Sequence, residues 1–224
     1  LQQFGVPEDA WDSIATSGDS ARSAMFRGAV GEKVWFIGHP GERKFFEPLA
    51  ILENPVNVET VPLAEADGIV CTGPVDPMAD PEIMRPEFEQ AIARGLKLLC
   101  ANPDIVVDRG EVREWCAGAL AALYTEMGGE SLYFGKPHGP IYDLARRRLA
   151  ALEVDIPDSR IVAIGDGILT DVKGAMDEGI DSLFITGGLA AAETATTQQP
   201  DEDKLRAYLD REASSPTYAI GFLR

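Results

Sequence analysis

The stretch Ile161-Val-Ala-Ile-Gly-Asp-Gly-Ile-Leu-Thr-Asp171 decides the fold. Ile161–Ile164 is apolar at every position, the pattern of a parallel strand buried on both faces. Gly165 lets the chain turn and leaves Asp166 at the strand's carboxyl end, the edge of an open parallel sheet where ligands bind. Thr170 suits the N-cap of a helix over Asp171–Glu178. Asp171 complements the positive end of that helix, and Gly179 suits its C-terminus. Gly174 inside so short a helix costs up to ~1 kcal/mol relative to alanine, which close packing of Gly174 and Ala175 against the sheet would explain. Asp166 and Asp171 then have two readings. Each is a plain turn or capping residue, or the pair is a hard-cation site. Two carboxylates converging at a sheet edge repel unless a proton or a divalent cation stands between them, and oxygen ligands suit Mg²⁺.

Outward from this stretch, apolar runs alternate with helical patterns, the signature of an α/β fold. Strands are expected at Lys33–Ile37, Asn57–Val61, Gly68–Cys71, Lys97–Ala101, Ile105–Val107, Leu132–Phe134, Ile161–Ile164, Ser182–Ile185 and Tyr218–Ile220. Helices are expected at Asp19–Phe26, Arg43–Leu52, Pro81–Ala93, Ala117–Met127, Ile141–Leu152, Asp171–Glu178 and Asp201–Glu212. The chain divides near Gly128–Glu130. The run from Leu132 to Ile185 reads as β-α-β-α-β with parallel strands and right-handed crossovers, and Asp19–Gly128 holds enough elements for a second α/β layer. Ala190–Pro200, rich in Ala, Thr and Gln, reads as an exposed loop.

Leu132-Tyr-Phe-Gly-Lys-Pro137 places Lys136 just after a strand. A P-loop is excluded: five residues, not four, separate Gly129 from Gly135, and Pro137 stands where Ser or Thr is required. A lone lysine is ordinarily just solvated. Lys136 stands out because its strand is expected beside that of Asp166, and at ~4 Å an ammonium and an anionic oxygen attract by about 4 kcal/mol at an effective dielectric of 20. Pro137 and Pro140 suit the first turn of the following helix. Thr16-Ser-Gly18 reads as an N-cap in preference to a phosphate-binding turn. Asn102-Pro-Asp104 reads as a turn or a substrate-facing loop. Arg146-Arg-Arg148 reads as a solvated helix face, and Trp11, Trp35 and Trp115 as packing residues.

Composition narrows the partners. The 224 residues carry 20 Lys and Arg against 37 Asp and Glu, a net charge of −17 that repels nucleic acid and anionic membranes. Any phosphate site must therefore be local. No apolar stretch approaches the ~20 residues of a membrane helix, no secretory signal is visible, and a cytoplasmic location is expected. Cys71, Cys100 and Cys116 form no CxxC pair, so neither a disulfide scaffold nor a Cys/His zinc site is expected. GxSxG, HExxH and GxGxxG are all absent.

Taken together, Gly135-Lys136-Pro137 and, about thirty residues on, Gly165-Asp166 with Thr170-Asp171 resemble the third and fourth motifs of the haloacid dehalogenase superfamily. The wider pattern is similar to its class IIA branch, the sugar-phosphatase and 4-nitrophenylphosphatase-like hydrolases. The Asn102-Pro-Asp104 element and the Ala117–Leu123 helix also look like that branch's cap. The resemblance implies an α/β, HAD-like Rossmannoid parallel sheet core with a large inserted α/β cap: residues 1–18 as a core segment or linker, 19–130 as cap and 131–224 as core. It implies a Mg²⁺-dependent phosphatase of a small phosphorylated metabolite, acting through an aspartyl-phosphate. Lys136 would steady the nucleophile and the phosphoryl oxygens, Asp166 would bind Mg²⁺, Asp171 would hold the metal's waters, and Asn102 and Asp104 would face the substrate. It leaves open a homodimer through the cap.

The family's first motif, a strand ending in Asp-x-Asp that supplies the nucleophile, is not found in these residues, and its second is unmatched. Asp76 and Asp80 lie in a Pro-rich loop, and Asp201-Glu-Asp203 opens a helix. The expectation is an N-terminally truncated product with an incomplete core, whose Ile161–Ile164 strand has an open hydrophobic edge. Two other readings remain: a non-catalytic phospho-ligand-binding or regulatory protein of the same fold, and an acidic interaction module.

Overall fold

The computed structural model describes residues 5–109, 112–152 and 156–223; Leu1 lies outside them. They fall into two compact units, one of Ala15–Gly135 and one joining Leu1–Ile14 to Lys136–Arg224.

The Ala15–Gly135 unit is built on a parallel sheet of β1 (Lys33–Ile37), β2 (Glu59–Thr60), β3 (Gly68–Cys71), β4 (Lys97–Cys100) and β7 (Glu130–Tyr133). Their order is β2-β1-β3-β4-β7. Successive side chains of a strand face opposite ways, and both faces are apolar. Ile69, Cys71, Leu98 and Cys100 pack on one face against Phe88 of α2 (Arg85–Ala93) and Leu120 and Tyr124 of α3 (Ala117–Glu126). Val34, Val70 and Leu99 pack on the other against Ala21 and Met25 of α1 (Ser17–Met25). The Thr16 side chain accepts from the Asp19 N–H at 3.0 Å, making it the N-cap of α1.

Three expectations change in this unit. The strand before Lys136 belongs to a different sheet from that of Asp166: β7 pairs in parallel with β4, through Leu99↔Leu132, so the expected β-α-β-α-β run loses its first strand to this sheet. No α-helix covers Arg43–Leu52. Pro40–Phe46 is 3₁₀-helical with a kink at Glu42, and Glu47 and Pro48 follow in extended or irregular backbone. Finally, β5 (Val106–Arg109) pairs antiparallel with β6 (Val112–Trp115), a strand whose charged Arg113-Glu114 centre hid it in the sequence.

In the second unit, β8 (Val162–Gly165), β9 (Asp181–Ile185) and β10 (Tyr218–Ile220) form a parallel sheet in the order β10-β9-β8. The expectation of a strand buried on both faces is corrected here. β8 is an edge, and Val162 and Ile164 are 48% and 49% exposed. The core lies instead around Phe184 of β9, with Ile168, Val172 and Tyr208 of α6 (Glu202–Arg211).

Other side chains also depart from expectation. Arg146, on α4 (Gly139–Leu152), is no solvated residue: it donates to Asp158 at 3.1 and 3.2 Å and to Glu178 at the end of α5 (Lys173–Glu178). Within Ala190–Pro200, Ala190 and Thr194 are buried, and the Thr194, Thr196 and Thr186 hydroxyls form a chain at 2.7 and 2.9 Å. Trp11 is an exposed residue, whereas Trp35 packs against the apolar core. Gly174 makes room for Tyr142 of α4 and not for the sheet, since a Cβ there would stand 1.9 Å from the tyrosine Oη. Gly179 ends α5 at φ +68°, as expected of a left-handed C-cap.

Candidate active site

β8 ends at Gly165, and the next residues wind into a π-helical turn over Ile168–Val172 before α5 begins. Asp166 thus leaves the carboxyl end of the strand and Asp171 returns on the turn. Thr170 is not the N-cap, because it lies inside the turn. Gly167 is the N-cap, and Asp171, inside the same turn, reaches back to it: its Oδ2 accepts the Gly167 N–H at 3.0 Å. A helix start exposes N–H groups that lack partners in the chain, and this bond satisfies one while fixing the carboxylate over Gly165. A Cβ on Gly165 would stand 2.2 Å from Asp171 Cγ, so the close approach requires glycine.

Lys136 donates to Asp171 Oδ1. Its side chain is 52% exposed while that of Asp171 is 13% exposed, so the carboxylate is largely enclosed and the ammonium faces solvent. The Lys136–Pro137 peptide bond is cis. Asp166 turns its Oδ2 to the Leu189 N–H at 3.1 Å, beyond the end of β9. The glycine before that donor is again required by contact, since a Cβ on Gly188 would stand 2.1 Å from Asp166 Oδ2. Lys136 and Asp171 are therefore in direct contact, and Asp166 is anchored to a separate loop at the same edge of the sheet.

Two contributors escaped the sequence reading. The Gly187-Gly188-Leu189 turn after β9 holds Asp166, and a glycine pair one residue after an apolar strand was the legible signal. Tyr142 stands near the acidic residues of this region. Burial pushes its phenol up to about 12, and the charges of Asp171, Glu178 and Asp177 add to that shift. Burial also lowers the pKa of His138.

Asn102 and Asp104 belong to the other unit. Asn102 Oδ1 accepts the Asp104 N–H at 3.2 Å, a local turn, and both residues line a cleft of that unit.

Among the described residues no group of three or more His, Cys, Asp or Glu is placed to hold a metal, and no helix is long and apolar enough to cross a membrane. Two carboxylates still fit Mg²⁺, which takes one or two of them, keeps several waters and completes its shell with phosphate oxygens.

Comparison with known proteins identifies the family to which the chain belongs. The HAD-hydrolase-like family model matches residues 133–210. A haloacid dehalogenase-like hydrolase from Brucella suis is 40% identical with a TM-score of 0.78, over all of this chain and 76% of that one. The chain therefore belongs to the haloacid dehalogenase-like hydrolases, with the α/β fold of class IIA. A p-nitrophenyl phosphatase from Archaeoglobus fulgidus shares the fold at 22% identity and a TM-score of 0.68, over 98% of this chain and 75% of that one. A dihydroxyacetone phosphatase from Corynebacterium glutamicum is 28% identical over 130 residues, 58% of this chain. The match spans only 40% of that curated relative.

Proposed function

We propose that the protein carrying this chain is a Mg²⁺-dependent phosphatase of a small phosphorylated metabolite, acting through an aspartyl-phosphate. The chain's own residues form the phosphoryl- and metal-holding part of the site. The observation that carries this reading is the contact between Lys136 and Asp171 on the turn that Asp166 opens. The half-exposed ammonium is held by the enclosed carboxylate through one donor and has further donors to offer a phosphoryl oxygen. Asp166 and Asp171 would hold Mg²⁺, which neutralises phosphoryl charge when bound. The phosphatase names of the relatives from C. glutamicum and A. fulgidus support a phosphomonoester substrate. The nucleophile assigned by the family motif has no counterpart among these 224 residues.

The test joins this chain to a strand ending in Asp-x-Asp and follows phosphate release from 4-nitrophenyl phosphate and dihydroxyacetone phosphate. Release should require Mg²⁺ and be abolished by Asp166→Asn and by Lys136→Ala. Undiminished release by Asp166→Asn refutes the metal assignment. Mg²⁺-dependent phosphate binding without release favours the non-catalytic phospho-ligand-binding reading.

A further inference from the structure

Strand β1 outruns its neighbour on one side. The Glu32 and Val34 carbonyls accept the Glu59 and Val61 N–H groups at 2.8 and 2.9 Å, on the side of β2. The Lys33 and Ile37 carbonyls accept those of Asp67 and Thr72, on the side of β3. The backbone of a paired strand alternates sides residue by residue, so the N–H and C=O of Phe36 face the β2 side. β2 has ended there at Thr60, and Pro62, which has no N–H, leads into the 3₁₀ turn Leu63–Glu65. Among the described residues nothing pairs with the N–H or C=O of Phe36, or with those of Gly38 just past the strand. Gly38 is buried and Phe36 half-buried. Buried backbone groups are nearly always paired, so two such residues in one cleft point to a ligand that brings donors and acceptors.

Phe36 and Gly38 both line a cleft of about 400 Å³ within the Ala15–Gly135 unit. Its other walls are Pro40, Phe46, Val58 and Thr60, and the Phe36 and Phe46 rings meet edge to face at 5.1 Å. Among the described residues none that lines it is charged. An ion entering would lose its hydration and find no counter-charge. A pure hydrocarbon would leave the Phe36 and Gly38 backbone groups without partners. An extended peptide meets both demands. Its own N–H and C=O groups recur on one side at every second residue, the spacing of Phe36 and Gly38, and its side chains reach the apolar walls. Three residues, at ~3.3 Å each, span the two positions. We propose that this cleft binds an extended, uncharged peptide segment with apolar side chains, laid beside β1 where β2 stops. Binding there needs neither Mg²⁺ nor the Lys136 site, and so stands apart from the phosphatase reading.

Amide-resolved NMR on the whole chain, without Mg²⁺ or phosphate, tests this with a Val-Ala-Val tripeptide capped at both ends. Saturable shift changes centred on the Phe36 and Gly38 amides are expected. Hydrogen exchange of both amides should slow about tenfold once roughly nine-tenths of the sites are filled. Two further peptides separate the causes on the parent chain, so no variant has to fold. A backbone N-methylated analogue keeps the apolar side chains and loses the N–H donors. A capped Asp-Ala-Asp tripeptide keeps the backbone and adds charge. Each should bind at least about tenfold more weakly, the scale of one or two lost hydrogen bonds or of an uncompensated charge. No saturable change, changes centred away from β1, or equal affinity for either analogue would overturn the proposal. Because Mg²⁺ and phosphate are absent throughout, such a failure leaves the phosphatase reading to be judged by its own test.

Discussion

The carboxylate of Asp171 accepts the backbone N–H of Gly167, four residues earlier, at 3.0 Å. That one bond opens the turn into α5 and leaves the second carboxylate oxygen to Lys136. A residue that reads as a helix-start aspartate in the sequence thus links backbone geometry to the candidate site.

Lys136→Ala should separate binding from stability. A pair with so exposed a lysine contributes about 0–1 kcal/mol to folding, so the melting temperature should move little. Phosphate affinity should fall at least about tenfold with the loss of a charge-assisted contact. Calorimetry and thermal melts on the same sample check both.

Gly174→Ala should destabilise by about 1–3 kcal/mol through overpacking against Tyr142. Tyr142→Phe should be neutral or stabilising, because the buried Oη has no hydrogen-bond partner among the described residues. Urea unfolding of both variants measures the difference.

Arg146→Ala should cost about 1–2 kcal/mol, because it unties α4 from both Asp158 and Glu178. Arg147→Ala, at an exposed position one residue on, should stay within about 0.5 kcal/mol of the parent. Chemical denaturation distinguishes them.

What the sequence disclosed and what it hid follow from the range of the signal. β1, β3 and β10 were legible to the residue because apolar runs bounded by turn residues are local. A pair of motifs led to the expectation of one site for Lys136, Asp166 and Asp171, but the direct contact of Lys136 with Asp171 was not foreseen. The partner of β7 was not, because Leu132–Phe134 reads the same whichever sheet it joins, and pairing with β4 is a long-range choice. β8 misled for a related reason. Val162 and Ile164 look like core residues, but burial depends on neighbours that composition does not reveal. Arg146 looked solvated because its two acids lie 12 and 32 residues away.

Alkaline pH should destabilise the Ala15–Gly135 unit. Burial pushes the Cys100 thiol up from 9.0 to about 12, and Cys71 is raised well above its ordinary value for the same reason. A raised folded pKa favours the protonated fold, so its contribution is complete below about 9 and is lost as pH climbs toward about 12. Melting temperatures across that range should fall, and Cys100→Ala should flatten the decline.

The exposed edge of β8 should promote self-association of this chain. Ile164→Lys, a charge on that edge, should raise the soluble fraction in sedimentation at matched concentration. A parent chain that is already monodisperse and melts cooperatively as a monomer would contradict this.

The most direct test of the account is a calorimetric titration of inorganic phosphate into the chain, with Mg²⁺ and with EDTA, in the parent and in Asp166→Asn. Saturable binding that requires both Mg²⁺ and the intact Asp166 is the predicted result. Equal binding in EDTA, or binding indifferent to Asp166→Asn, would contradict a magnesium-linked phosphoryl site built from Lys136, Asp166 and Asp171.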